Sequence, residues 1–320
     1  MTNATPPAKL PTGFGLALGS GAARGLAHIG LLRVLEQEGL RPAAVAGTSI
    51  GALIAALYAA GVPTDDMVDV ALGVDWRQLG RLIRPSLPTS GLVDSERLDR
   101  FFAELLPVRA FSELNLPVVM TATDIETGES VMLRQGELLP ALRAAVAFPG
   151  IFPAVPVQGR FLVDGGLCHP VPVAPLRELG CSRVVGMCTI PEVDKASHEA
   201  FVPSPRPRRS RPRSPLFGLI RAERVERLWQ EIWGRNGQER KSPDERKPPN
   251  LFRVFAQSVA IMENQINSLR LASDGIDLLL RPTFVGINMF EFHRAEEIIA
   301  IGEQAGRAAL AEIRTLAEAP

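Results

Sequence analysis

Two strand–glycine–helix units follow one another at the start of the sequence, and they constrain the fold more than any other feature. "GFGLALG" (13–19) is a short apolar run closing in glycines, as a buried strand requires. "LAHIGLLRVLEQEGL" (26–40) follows, with Ile29, Leu31, Leu32 and Leu35 at helical spacing and Gly39 as a stop. "AAVAG" (43–47) reads as a second strand, and 49–60 as a second helix ended by Gly61 and Pro63. Successive strands joined by helices must lie parallel, with the helices on the faces of the sheet. An α/β fold with a mainly parallel sheet is therefore expected.

The same alternation continues. A helix is expected from about Asp94 to Leu106, strands at 116–125 and 129–134, and a helix at 138–147. Further strands are expected at "GRFLVDGG" (159–166), "CSRVVGMCTI" (181–190) and "GIDLLLRP" (275–282), with helices at about 251–272 and 291–317.

Three glycine-marked turns carry the chemistry. The first, "LGSGAARG" (18–25), comprises Gly19, Ser20, Gly21, Ala22, Ala23, Arg24 and Gly25 between a strand and a helix. Small residues there let the backbone close on a bound group, and a helix start aims free N–H groups at an anion. It is neither a dinucleotide fingerprint, the third glycine being displaced by one, nor a Walker loop, which needs Gly-Lys-Ser/Thr. The second turn, Gly47-Thr48-Ser49-Ile50-Gly51, fits a nucleophile elbow, in which a sharp strand-to-helix bend exposes a serine hydroxyl at the head of a sheet. Its structural alternative is Ser49 or Thr48 as an ordinary helix N-cap.

A serine needs a base to become a nucleophile. The third turn, "FLVDGGLCHPVP", offers Asp164, followed by Gly165 and Gly166. An acid at the carboxyl end of a parallel strand would share the serine's edge of the sheet. The alternative for Asp164 is an Asx turn before glycines. Of the four histidines, His169 suits a Ser–Asp–His order best. His198 lies in a Pro-rich stretch, His28 is one turn into the first helix, and His293 opens the last one.

Together these turns make the sequence resemble the patatin-like phospholipase family, in its bacterial single-domain branch. The match rests on "GLALGSGAARGLAHIGLLRVLEQEG", "VAGTSIGALIAALYAAG" and "FLVDGGLCHPVPV". "AFPGIFPAV" and "RPTFVGINMFEFHRAEEIIAIGEQA" also belong to it. It covers about 13–190 and 251–315. The resemblance implies a three-layer α/β/α fold and hydrolysis of lipid acyl esters by a Ser–Asp dyad, without histidine, metal or nucleotide cofactor. It makes Ser49 the nucleophile, Asp164 the general base, and the Gly21 and Ala22 N–H groups the oxyanion hole. Arg24 takes the family's basic position, to brace the loop or to face a phosphate head group. Two departures stand out: Ser20-Gly21-Ala22 replaces an unbroken glycine run, and His169 occupies a position where the branch often has asparagine.

The implied activity is cleavage of fatty-acyl esters of (lyso)phospholipids through an acyl-enzyme. The alternatives are an acyl thioesterase or general carboxylesterase, and a weakly active lipid-binding regulatory protein.

A hydrolase domain is expected over 13–190 and 251–317, behind a polar tail at 1–12. Between its parts lies 191–250, where "VPSPRPRRSRPRSP" (202–215) has too little apolar surface to offset its ordering entropy. Within this insertion, 216–234 is amphipathic at helical spacing, with Phe217, Ile220, Val225, Leu228, Trp229, Ile232 and Trp233 on one stripe. Tryptophans and the arginines at 206–213 suit peripheral contact with an anionic membrane through 203–235, and packing on the core or on a second subunit is the structural alternative. Lys+Arg and Asp+Glu number 35 each, a balance that favours no nucleic-acid partner and sets no oligomeric state. The beginning "MTNATPPAKLPTGFG" has no apolar core of a signal peptide, and the three cysteines make no disulfide framework. A cytoplasmic protein is expected, with any membrane contact peripheral.

Overall fold

The computed structural model describes residues 13–73, 95–190 and 251–318. The expected tail at 1–12 and the insertion at 191–250, with its amphipathic stretch, lie outside the described residues. The strands are β1 (Gly15–Leu18), β2 (Ala44–Gly47), β3 (Val118–Asp124), β4 (Ser130–Leu133), β5 (Val155–Val157), β6 (Arg160–Asp164), β7 (Val184–Met187) and β8 (Leu278–Leu280). The helices are α1 (Ala27–Gln37), α2 (Ile50–Ala59), α3 (Thr64–Gly73), α4 (Ser95–Leu105), α5 (Leu138–Ala145), α6 (Val173–Glu178), α7 (Leu251–Asp274), α8 (Ala295–Ala308) and α9 (Leu310–Glu318).

All eight strands form one sheet in the order β5-β6-β3-β2-β1-β7-β8, with β4 paired to β3. The run β3-β2-β1-β7-β8 is parallel throughout, while β4, β5 and β6 add antiparallel pairings at one side.

Strand alternation builds two cores from this sheet. Leu16, Leu18, Val45 and Met120 face a layer containing α1, α2, α5 and α8. Ala17, Ala44, Ala46 and Val119 face the opposite side, where Val173 and Leu176 of α6 pack. Because successive side chains point to opposite faces, a run that is apolar at every position is buried on both sides. The outcome is three layers, helix–sheet–helix.

Two glycines set how closely the outer helices approach. A Cβ at Gly30 of α1 would overlap the Ile299 carbonyl of α8, and one at Gly302 of α8 would overlap the Ala27 carbonyl. Arg33 fastens the same junction through Glu303 at 3.1 Å and Asp65 of α3 at 2.9 Å.

Several expectations need correction. The first helix begins as a 3-10 turn over Ala22–Leu26, and the long C-terminal helix is divided into α8 and α9. The short elements α3, β5 and α6 were not expected from the sequence. The correction that matters most concerns Asp164. Its strand is antiparallel to β3, pairing Ala122 with Asp164 and Asp124 with Leu162. Asp164 is thus not at the end of a parallel strand.

It reaches the same place from the other direction. β4 pairs with Met120–Thr123 and so holds one edge of β3. The other edge is shared in succession by β2, through Val118–Met120, and by β6, through Ala122–Asp124. The two strands point head-on at each other. Gly47 lies opposite Met120 and Asp164 opposite Ala122, two residues further along β3, a step of about 7 Å.

Candidate active site

The end of β2 forms a bend too tight for ordinary side chains. Ser49 has φ 57° and ψ −126°, a left-sided backbone that a non-glycine residue rarely adopts. Such conformations cost on the order of 1–3 kcal/mol and persist only where surrounding structure enforces them. The enforcement is visible on both sides. A Cβ at Gly47 would strike the backbone of Gly51 and Ala52, and one at Gly51 would strike the Leu18 and Gly19 carbonyls. Neither residue before α2 acts as a conventional cap: the Ser49 hydroxyl makes no capping hydrogen bond. Thr48 Oγ1 instead donates to the His169 carbonyl at 2.7 Å and lies 2.7 Å from Thr121 Oγ1. The Ser49 side chain is left partly exposed at the head of the sheet.

Asp164 is fully buried in the turn that meets this bend. Its N–H donates to the Ala147 carbonyl at 3.0 Å, and its own carbonyl accepts from Thr123 Oγ1 at 3.0 Å. Ala147 belongs to the "AFPG" segment after α5, which thereby anchors the acid. The two carboxyl oxygens have different fates. Oδ1 accepts the Gly166 N–H at 2.8 Å, so the Asx turn does exist. Oδ2 is buried without a hydrogen-bond partner among the described residues. The carboxyl is raised to about 6, first by burial, against the lowering effect of the Ser49 hydroxyl and the Gly166 N–H. The Ser49 hydroxyl is thus a hydrogen-bonding neighbour of the Asp164 carboxyl, in a contact looser than the Gly166 one. Catalytic contacts are commonly loose before substrate binds.

The glycine loop lies across the same edge of the sheet. Gly19 N–H donates to Met187 O at 3.1 Å, Ser20 N–H to Pro170 O at 2.8 Å, Ala23 N–H to Met289 O at 2.9 Å and Arg24 N–H to Gly21 O at 3.1 Å. No acceptor is found among the described residues for the N–H groups of Gly21 and Ala22, the two between these anchors. The loop begins against the elbow, where the Leu18 and Gly19 carbonyls lie over Gly51, and its two free amides are of the kind that can donate to an anionic oxygen. Arg24 braces the loop: its Nε donates to the Ile287 carbonyl at 2.9 Å. Burial lowers its pKa to about 10, against the attraction of Glu291. The "VGINMF" segment therefore holds the loop from outside, through Ile287 and Met289.

The histidines divide. The His169 ring is lowered by burial and next by Arg270, with Asp274 opposing, and its Nδ1 is buried without a partner among the described residues. It offers its backbone, not its ring, to the elbow. His28 has a role that the sequence did not reveal. Burial lowers it to about 4, so the ring is neutral and Nε2–H donates to the Gly19 carbonyl at 2.8 Å. His293 lies in the 3-10 turn Phe292–Arg294 that leads into α8.

A cavity of about 480 Å³ runs along β8, lined by residues such as Leu279, Ile301 and Glu312. It contains no part of the Ser49 constellation. Among the described residues no helix is long and apolar enough to cross a membrane.

A family model described as patatin-like phospholipase matches residues 16–177. An uncharacterized NTE family protein of Mycobacterium tuberculosis is 28% identical over 326 residues, covering 92% of this chain and 90% of its own. Lysophospholipase NTE1 of Cryptococcus neoformans is 30% identical over 182 residues, covering 54% of this chain and 11% of its own length. Among solved structures, VipD from Legionella pneumophila aligns with a TM-score of 0.49 at 13% identity, over 94% of this chain and 67% of that one.

Proposed function

This chain belongs to the patatin-like phospholipase family and is a lipid acyl hydrolase, and we propose that it cleaves fatty-acyl esters of phospholipids or lysophospholipids through Ser49 and Asp164. The observation that carries this reading is Asp164 itself. One carboxyl oxygen is bound to Gly166, and the other is buried and unpartnered among the described residues, in a group on which the Ser49 hydroxyl acts.

In the proposed cycle, ionised Asp164 removes the Ser49 proton as Oγ attacks the acyl carbon. The carbonyl oxygen becomes an oxyanion that accepts from Gly21 and Ala22 N–H. Collapse breaks the ester C–O bond, and Asp164 returns the proton to the departing alkoxide. Water then enters. Asp164 takes its proton, the hydroxide attacks the acyl-enzyme, and collapse frees the fatty acid while Ser49 regains the proton. Strain at Ser49 and raised basicity at Asp164 both favour this use of a serine without histidine.

Serine-directed fluorophosphonate labelling of the wild type, Ser49→Ala and Asp164→Asn tests the dyad. The wild type should label, Ser49→Ala should not, and Asp164→Asn should label at least about 10²-fold more slowly. Labelling of Ser49→Ala at the wild-type rate would refute it. Running phospholipid, lysophospholipid, acyl thioester and short-chain ester side by side identifies the preferred acyl donor.

A further inference from the structure

α7 turns a polar face toward the site. Val259, Glu263, Asn264 and Asn267 are its buried residues among those described, at helical spacing, while Ile261, Met262 and Leu269 are exposed. Asn267 Nδ2 donates to Cys188 Sγ at 3.2 Å. Glu263 is only 7% exposed and is pressed against the Asp164 turn: a Cβ added at Gly166 would overlap its Oε1. Gly166 is also the residue whose N–H holds Asp164 Oδ1. A glutamate on one element and a catalytic aspartate on another therefore meet across a single glycine.

We propose that Glu263 is a positioning residue for Asp164, bearing on Gly166 and so supporting the Asp164-Gly165-Gly166 turn that holds the carboxyl. The inference rests on the reading of Asp164 as the general base.

Two ionised carboxylates do not share a buried site, because each needs solvation that the other's charge denies. Glu263 is raised to about 8, first by burial and then by the charge of Asp164. Asp164 ionises first, at about 6. The other charged groups on the elements packed here are, among the described residues, four. Arg177 of α6 pairs with Asp277 at 2.7 Å, Glu178 ends α6, and Arg270 and Asp274 of α7 act on His169. Asp164 is the charge that acts on Glu263. Between these two ionisations the pair holds one proton, and the two steps belong to the pair as a whole. Removing that proton puts a second negative charge against the turn, and the contact between α7 and Gly166 opens.

The shape of the pH profile tests this. The ratio of Glu263→Gln turnover to wild-type turnover should be flat from pH 6 to 7. It should then climb by about tenfold per pH unit above 8, whatever its value at neutral pH. Thermal melting supplies a readout without turnover. A buried acid raised in the folded state loses stability as pH rises from its unfolded value toward its folded one. The melting-temperature gap between Glu263→Gln and wild type should therefore widen from pH 5 to 8 and then level. A constant activity ratio overturns the proposal, and with a widening melting gap it leaves Glu263 as a structural acid only. Full turnover by Asp164→Asn would instead overturn the reading of the base, leaving the melting result untouched.

Discussion

Gly21→Ala is the smallest change that should disable the oxyanion loop. The added methyl would overlap Thr189 Oγ1 and lie 3.0 Å from Thr189 Cβ. Thr189 cannot swing aside, because it is fully buried and its hydroxyl donates to the Ser20 carbonyl at 2.7 Å. The loop must move instead, by roughly 1 Å to recover van der Waals distance, carrying the Gly21 and Ala22 N–H groups with it. A displacement of that size costs on the order of 10²-fold in rate, and loss of an oxyanion donor costs about 10²–10³-fold, or about 2.7–4 kcal/mol. Steady-state hydrolysis of a short-chain ester should show the loss in kcat with KM little changed, since the donors act on charge that develops in the transition state. Adding Thr189→Ala to Gly21→Ala removes the colliding atoms and should restore part of kcat. Full turnover by Gly21→Ala, or a loss confined to KM, would refute the assignment of the loop.

Activity should fall as pH drops through about 6, where protonated Asp164 no longer accepts the serine proton. At pH 5 about a tenth of the base remains ionised, whereas an aspartate at its ordinary 3.8 would keep about nine-tenths, and a kcat/KM profile separates the two. His169→Ala and His293→Ala should keep most activity, while His28→Ala should lose kcat because Gly19 loses its anchor; a folded, inactive His169→Ala would refute the dyad. Deleting 203–235, with its five arginines at 206–213, should lower hydrolysis on anionic vesicles, progressively less so as salt is added, and spare a short-chain ester. Equal loss on both substrates would assign the segment a structural role.

Features that depend on neighbouring residues were legible before folding was known. The elbow around Ser49 was legible because its requirements are local: Gly47 and Gly51 must be small since their Cβ atoms would meet backbone within the same bend and the adjacent strand end. The alternation of apolar runs and helical patterns likewise implied a layered sheet, because two-residue and 3.6-residue periods are written in consecutive positions. Features that depend on partners distant in the chain were not legible. Asp164 was picked for a wrong reason, as the end of a parallel strand, and meets Ser49 because β3 outruns β2 and receives β6 antiparallel on the same edge. No local pattern encodes that register. His28 under Gly19, Arg24 on Ile287 and Glu263 over Gly166 were unreadable for the same reason. Each is defined by an atom that folding brings across the molecule, and a side chain's protonation follows from the solvent and charges around it, not from its place in the chain.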